Sequence, residues 1–162
     1  MFELLSFHRF RDTPSVQFFD ITIQSSNARD LVFHDGPATS PNNSATGDWQ
    51  FYLHPNQEDN LLAVSGGRTF YLVNFAWDDP FHEVRLDANR HILRLPPGTF
   101  HRSVSDPSGS LVINQAVRSA HASLQNEFRV YNSGDIPRLR QLLNSGLAPQ
   151  RHGFIEDWPM AA

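Results

Sequence analysis

The fold of this chain is decided by residues 95–101, Leu-Pro-Pro-Gly-Thr-Phe-His. The Pro-Gly pair predicts a tight turn, and His101 follows it at the start of the next strand. A second polar stretch, Tyr-Leu-His-Pro-Asn-Gln-Glu-Asp, occupies residues 52–59, and an apolar run leads from it to Gly66-Gly67. One histidine on a strand and another behind a turn are typical of a small β-barrel that directs both into its interior. The two stretches therefore predict an all-β barrel with an internal pocket.

The composition describes a globular chain with a restricted set of reactive side chains. Its 162 residues suffice for one domain with its own core, and 13 of them are Phe. Cysteine and lysine are both absent, which excludes disulfides, thiolate chemistry and Schiff bases. The net charge of −4 and the scattered arginines argue against a nucleic-acid partner. Since the start has no signal-peptide pattern and no apolar run could span a membrane, we expect a cytoplasmic protein without a membrane partner.

Short runs of strand-forming residues, separated by Gly, Pro, Asn and Asp, follow one another through most of the chain. We predict turns at Gly66-Gly67 and over 106–109, and a long loop over 35–47. The strands are predicted over 16–23, 30–34, 49–54, 60–64, 68–75, 83–86, 91–95, 102–104 and 111–117. Many short strands indicate a sandwich or barrel. We expect a single domain over 1–162, with its core barrel at about 16–132.

The last part of the chain, 133–162, changes character. Pro137 in a first turn, leucines on one face and Gly146 as a stop predict one short helix. We expect this helix to pack on the barrel and the tail after it to be mostly irregular.

The two polar stretches resemble the motifs of the cupin superfamily. Its second motif, Pro-x-Gly-x-x-His, matches Pro96, Gly98 and His101, with Ser105 where the family has asparagine. Its first motif is a His-x-His pair followed by an acidic residue and a glycine. Either His54 is the first histidine, with Asn at both 56 and 60 in place of the family's ligands, or it is the second. In the second register, which keeps more of the pattern, Tyr52 replaces the first histidine, Asp59 is the acid and Gly66 closes the motif.

The preferred register implies a metal site. Tyr52 and His54 share one face of a strand because side chains alternate with a period of two. His54, Asp59 and His101 would then form a set of two histidines and one carboxylate, which suits a divalent ion such as Fe, Mn, Zn or Ni.

The same stretches also resemble the metal-free, RmlC-like cupins that epimerise dTDP-keto-sugars. Leu53-His54, residues 67–73 and residues 95–101 are similar to that group, and the family's histidine base falls on His54. The family's arginine falls on Phe51, its lysine near Asn60, and residues 111–117 contain no tyrosine. The resemblance covers roughly Trp49 to Arg118 and implies an RmlC-like jelly roll with a short C-terminal helix.

Three functions follow from these resemblances. The first is an isomerase or epimerase acting on a polar, sugar-derived substrate, with His54 as base and His101 positioning an oxyanion. The second is a metal-dependent oxygenase or lyase, and the third is a ligand-binding cupin without chemistry. The candidate ligand-binding residues are Tyr52, Gln57, Arg68, Tyr71 and Asn114. Strand alternation places Arg68 and Tyr71 on opposite faces. Cupins commonly pair through edge strands, so the expected assembly is a homodimer.

Overall fold

The computed structural model describes residues 1–154. Antiparallel strands dominate, as predicted, and they are β1 (Glu3–Ser6), β2 (His8–Asp12), β3 (Gln17–Asp20), β4 (Ala28–His34), β5 (Thr39–Ser40), β6 (Gln50–Leu53), β7 (Gln57–Val73), β8 (Phe81–Asp87), β9 (His91–Leu95), β10 (Phe100–Arg118), β11 (Val130–Asn132) and β12 (Gln150–His152). The helices are α1 (Leu124–Glu127) and α2 (Pro137–Asn144), with a 3-10 turn over Ser133–Asp135. In this described part, no helix is long and apolar enough to cross a membrane.

Two long strands organise the barrel. β7 has 17 residues and β10 has 19, and they pair antiparallel from Val73 opposite Phe100 to Gln57 opposite Arg118. β7 continues outward to β8 through residues 67–73 and to β9 through residues 59–62. β10 continues to β4, β5 and β6. The result is the jelly-roll architecture expected from the sequence.

The two central turns that the sequence predicted are absent. β7 runs through Gly66-Gly67, and β10 runs through residues 106–109, with a register shift between Ser105 and Ser110. Gly66 has a φ of 67°, and a side chain there would collide with the carbonyl oxygen of Gly109. The glycines therefore bend two paired strands past each other instead of reversing the chain.

Both ends of the described chain depart from the prediction. β1 lies before the predicted start of the barrel, yet it pairs with β9 in the main sheet. The strand predicted over 16–23 is shorter, and as β3 it pairs with β2 in a separate two-stranded sheet. The helix prediction is confirmed by α2, which has proline in its first turn and is followed by Gly146 at φ 77°. The segment after it, predicted to be irregular, contains β12, which pairs in parallel with β8.

The core has two parts. The larger lies inside the barrel and includes the fully buried Leu72, Leu93 and Val112. The smaller packs α2 against the barrel through Leu139, which contacts the cluster of Phe51, Val73 and Phe81. These clusters leave one end of the barrel interior to polar side chains.

Candidate functional site

Three polar residues from three strand regions meet inside the barrel. His54 follows β6, Asp59 is the third residue of β7, and His101 is the second residue of β10. β10 pairs with β6 so that His101 lies opposite Tyr52, which brings the two predicted motifs together. All three side chains are buried, with exposed fractions of 6%, 2% and 8% for the residues in chain order.

The two histidines direct the same ring nitrogen at one carboxylate oxygen. Nε2 of His54 lies 3.2 Å from Oδ2 of Asp59, and Nε2 of His101 lies 3.7 Å from it. The three residues offer ligand atoms that all lie within 4.8 Å of one another. Two ligands at about 2.1 Å from an ion are separated by about 3.0 Å in octahedral and about 3.4 Å in tetrahedral coordination. The two histidine–carboxylate distances lie close to these values, so the three residues could hold a divalent metal ion.

Backbone carbonyls fix the orientation of both rings. Nδ1 of His54 lies within hydrogen-bonding distance of the Glu127 carbonyl, and Nδ1 of His101 lies 3.1 Å from the Thr99 carbonyl. A carbonyl only accepts, so each Nδ1 must donate. Each Nε2 is therefore free to act as a lone-pair donor to a metal ion, which is the usual arrangement of metal-binding histidines.

The second oxygen of Asp59 is bound by two amides. Gln57 Nε2 donates to Oδ1 at 2.6 Å, and Asn114 Nδ2 donates to the same atom at 2.8 Å. Arg118 Nε in turn donates to Gln57 Oε1 at 2.7 Å. These bonds turn the carboxylate so that Oδ2 faces the two histidines, as the outer partners of a metal ligand do.

The charges of the three groups are strongly coupled. Burial favours the neutral form of Asp59, but its hydrogen bond to His54 and the neighbouring histidine charges lower its pKa to about 2. Burial opposes the charged form of His54, yet the bond and charge of Asp59 raise its pKa above the ordinary value. Burial, together with the charge of His54, lowers the pKa of His101 to about 4. The carboxylate of Asp59 thus favours the charged form of His54, whereas His101 is neutral in neutral solution.

The site opens into a cavity of about 160 Å³. Of the predicted ligand-binding residues, Tyr52, Arg68 and Asn114 line this cavity. Gln57 lies behind Asp59 instead and contacts it directly. Tyr71 is not in this cavity, because strand alternation turns it outward to a second cleft, where its ring lies 4.9 Å from that of Trp49.

Several residues of the site carry no recognisable sequence signal. Glu127 is fully buried; its carbonyl accepts from His54 and its carboxylate accepts from the Asn56 amide at 3.1 Å. Phe128 lines the cavity from the same segment, and Asp30 lines it from β4. The alternation of β4 does indicate which of its residues point inward. Nothing local in residues 124–128 indicates contact with a histidine more than seventy residues away.

A scan against protein-family models found no match, and a search of curated proteins found none either. Solved structures do match. The RmlC epimerase of Mycobacterium tuberculosis is 16% identical, with a TM-score of 0.60 over 98% of this chain and 82% of that one.

Two further structures give the same result. A mutant of the 3,4-ketoisomerase QdtA from Thermoanaerobacterium thermosaccharolyticum, in complex with TDP-4-keto-6-deoxyglucose, is 11% identical, with a TM-score of 0.59 over 91% of this chain and 97% of that one. The dTDP-4-dehydrorhamnose 3,5-epimerase of Bacillus anthracis, with TDP and PPi bound, is 14% identical, with a TM-score of 0.58 over 77% of this chain and 75% of that one.

The topology and these likenesses show that the fold of the protein is that of a cupin jelly roll. Among cupin jelly rolls, it is the RmlC-like one. At this level of identity the likeness is one of fold, and function has to be argued from the site.

Proposed function

We propose that this protein is a metal-dependent cupin enzyme of the oxygenase or lyase type, which acts on a small polar molecule inside the barrel. His54, Asp59 and His101 would bind one divalent ion, with Fe, Mn, Zn and Ni as the candidates. The observation that carries the proposal is the convergence of two Nε2 atoms on Oδ2 of Asp59, at 3.2 Å and 3.7 Å.

The hydrogen bonds of His54 favour a role as a metal ligand over a role as a general base. Its Nδ1 is bonded to the Glu127 carbonyl, and its Nε2 lies against Asp59. Both ring nitrogens are thus directed at protein groups, whereas a base needs a nitrogen that can reach the proton it abstracts. A metal ion between the three groups would use one lone pair from each Nε2 and one from Oδ2 of Asp59.

Three protein ligands leave coordination positions open, so an ion bound here could polarise a substrate oxygen as a Lewis acid. The chain itself supplies the surroundings. Gln57 and Asn114 orient Asp59, the Glu127 and Thr99 carbonyls orient the rings, and Tyr52 lines the space in front of them.

The first prediction is that protein purified without an affinity tag contains close to one of these metals per chain, and that Asp59→Asn loses it. The matched control is Asp30→Asn, which removes another carboxylate lining the same cavity and should leave the metal content unchanged. Elemental analysis by mass spectrometry measures all three proteins, and circular dichroism checks their folding. A wild-type protein that stays empty after incubation with Fe, Mn, Zn and Ni would overturn the proposal.

A second candidate is a metal-free isomerase or epimerase. It is favoured by the electrostatics, because the pKa values of the two histidines are shifted in opposite directions, that of His54 upward and that of His101 downward, as expected for an acid next to a base. In this case His101, whose Nε2 has no hydrogen bond in the described residues, would take the proton. Turnover of a keto-sugar that survives chelation and is lost in His101→Ala would favour it. Binding without turnover would indicate a non-catalytic cupin.

A further inference from the structure

Arg68 is a cation buried in the wall of the cavity. It lies on β7, nine positions after Asp59, and only 3% of its surface is exposed. It lines the same cavity as His54 and His101. Arginine is rarely buried in this way without a partner of opposite charge, because removing a guanidinium from water is costly.

No such partner is present in residues 1–154. Nε of Arg68 donates to Ser110 Oγ at 2.6 Å, and Nη2 donates to the Val32 carbonyl at 2.8 Å. Both acceptors are neutral, and burial alone lowers the pKa of the guanidinium to about 10, still far above neutrality. Nη1 makes no hydrogen bond in this part of the chain and is not among its fully buried polar atoms. It therefore remains available to a molecule in the cavity.

A buried network keeps the guanidinium in place. Ser110 Oγ, which accepts from Arg68, lies 2.5 Å from Ser105 Oγ, and this second hydroxyl lies 2.9 Å from His34 Nδ1. Burial, together with the charge of Arg68, lowers the pKa of His34 to about 4, so the network adds no charge of its own. Arg68 is thus positioned by four neutral groups, counting the Val32 carbonyl.

The acidic groups of the cavity are already engaged elsewhere. Asp30 binds Nη2 of Arg118 at 2.9 Å, and Asp59 is bound by His54, Gln57 and Asn114. The positive charge of Arg68 is consequently the one that lacks compensation among the described cavity residues. A fixed guanidinium with a free terminal nitrogen is well suited to a carboxylate or a phosphate group.

The volume of the cavity limits the size of such a ligand. About 160 Å³ is small beside the roughly 300–1,000 Å³ of pockets for drug-sized molecules. A small acid fits this space, whereas a sugar nucleotide would extend well outside it.

We infer that the substrate is a small molecule with an anionic group, a carboxylate or a phosphate, and that Arg68 binds this group while the opposite end of the molecule faces His54, Asp59 and His101. The inference rests on the proposed function only for the role of that opposite end. Arg68 would thus bind one end of the substrate and the three metal ligands would face the other end, on the opposite side of the cavity.

Isothermal titration with malonate and, separately, with inorganic phosphate tests the inference. We expect at least one of them to bind the purified protein, and Arg68→Met to weaken that binding about 10- to 100-fold, as for a lost charged hydrogen bond. Arg140→Met removes an exposed arginine on α2 and should bind like wild type. Preference for malonate indicates a carboxylate substrate, and preference for phosphate indicates a phosphorylated one.

Arg68→Lys keeps the positive charge but loses the planar guanidinium group with its several N–H donors, so it should bind the anion with intermediate affinity. This variant also tests the inference if Arg68→Met does not fold. Absence of binding to wild type, or equal binding by wild type and the folded Arg68 variants, would overturn the inference. Metal content is measured in the same proteins. Arg68→Met should keep its metal, so a failure of anion binding remains distinct from a failure of metal binding.

Discussion

Asp59 has separate partners for its two carboxylate oxygens. Oδ1 accepts from two amides, and Oδ2 faces two imidazole nitrogens. This division means that the amides decide where the second oxygen points. Gln57, which contacts Asp59 but does not line the cavity, is therefore a positioning residue.

We predict that Gln57→Met lowers metal affinity about 10- to 100-fold without loss of folding, as expected when an outer partner of a metal ligand is removed. The methionine retains most of the buried volume but cannot donate to Asp59. Competition with a chromogenic chelator measures the affinity. Gln125→Met, at an exposed position of α1, is the control and should bind like wild type. Unchanged affinity in Gln57→Met would show that Asn114 alone is sufficient to orient the carboxylate.

The sequence predicted part of this site and missed the rest for a physical reason. Alternation along one strand is a local property, so Tyr52 and His54 could be assigned to one face from residues 49–54 alone. The carbonyls of Thr99 and Glu127 orient the histidines through main-chain atoms, which every residue possesses. Their role depends on tertiary structure and does not require any particular side chain at these two positions, so the sequence does not reveal it.

At the scale of elements, β7 and β10 are each much longer than the average strand of about 5–6 residues. The sequence interpretation divided each of them in two, because glycine, proline and aspartate next to a polar residue usually indicate a turn. Here those residues permit a bend with a shift in register. Local composition does not distinguish a bend within one continuous strand from a turn that reverses the chain. The difference depends on which strand pairs with the segment in the folded protein.

We predict that Gly66→Ala destabilises the protein by more than about 2 kcal/mol, since the new methyl group meets the backbone of Gly109 and φ is positive. Gly146→Ala has a similar φ of 77° but open space around it, so it should cost about 1 kcal/mol. Urea unfolding of the two variants measures the difference. Equal destabilisation would mean that the close approach of the strands is not rigid.

An ion pair ties β8 to the bend of β10. Both terminal nitrogens of Arg85 donate to the carboxylate of Asp106 at 2.7 Å, and Asp87 binds the same guanidinium. The hydrogen bond to Arg85 lowers the pKa of Asp106 below its ordinary 3.8. A carboxylate with a lowered pKa stabilises the folded state above its unfolded pKa, and this contribution disappears as the pH falls through the folded value.

Asp106→Asn should therefore reduce the free energy of unfolding by no more than about 1 kcal/mol at pH 7, because the pair is partly exposed. The difference from wild type should shrink as an acidic pH takes the carboxylate below its ordinary pKa of 3.8 and through the lowered folded value. Urea titrations at pH 7 and at acidic pH measure it, with the exposed Asp78→Asn as control. A difference that is independent of pH would assign the effect to packing instead of charge.

At the scale of the whole molecule, β4 presents an apolar outer face. Leu31 and Phe33 are 68% and 70% exposed, while the alternate residues Asp30 and Val32 line the cavity. β4 pairs with β10 along one side and has no strand on the other within the described residues. An open edge beside exposed apolar side chains is a surface that proteins usually cover.

We predict that a second copy of the chain covers this face, in line with the homodimer expected from the sequence. Combined Leu31→Glu and Phe33→Glu substitutions should convert the dimer to a monomer, because buried like charges would face each other across the two-fold axis. Light scattering after size-exclusion chromatography measures the mass. Leu147→Glu, at another exposed leucine, should remain dimeric. A monomeric wild type would contradict the prediction.

Much of the candidate site lies on the two long strands on which the rest of the barrel depends, whereas His54 follows β6. Asp59 and Arg68 lie on β7, and His101 and Asn114 lie on β10. These strands cannot separate without dissolving the main sheet, so their amide protons should exchange with solvent only through complete unfolding. A partly opened form that keeps the barrel but separates Asp59 from His101 is then not accessible to this molecule. Variants that destabilise the pairing of these two strands should consequently lose ligand affinity and resistance to proteolysis together.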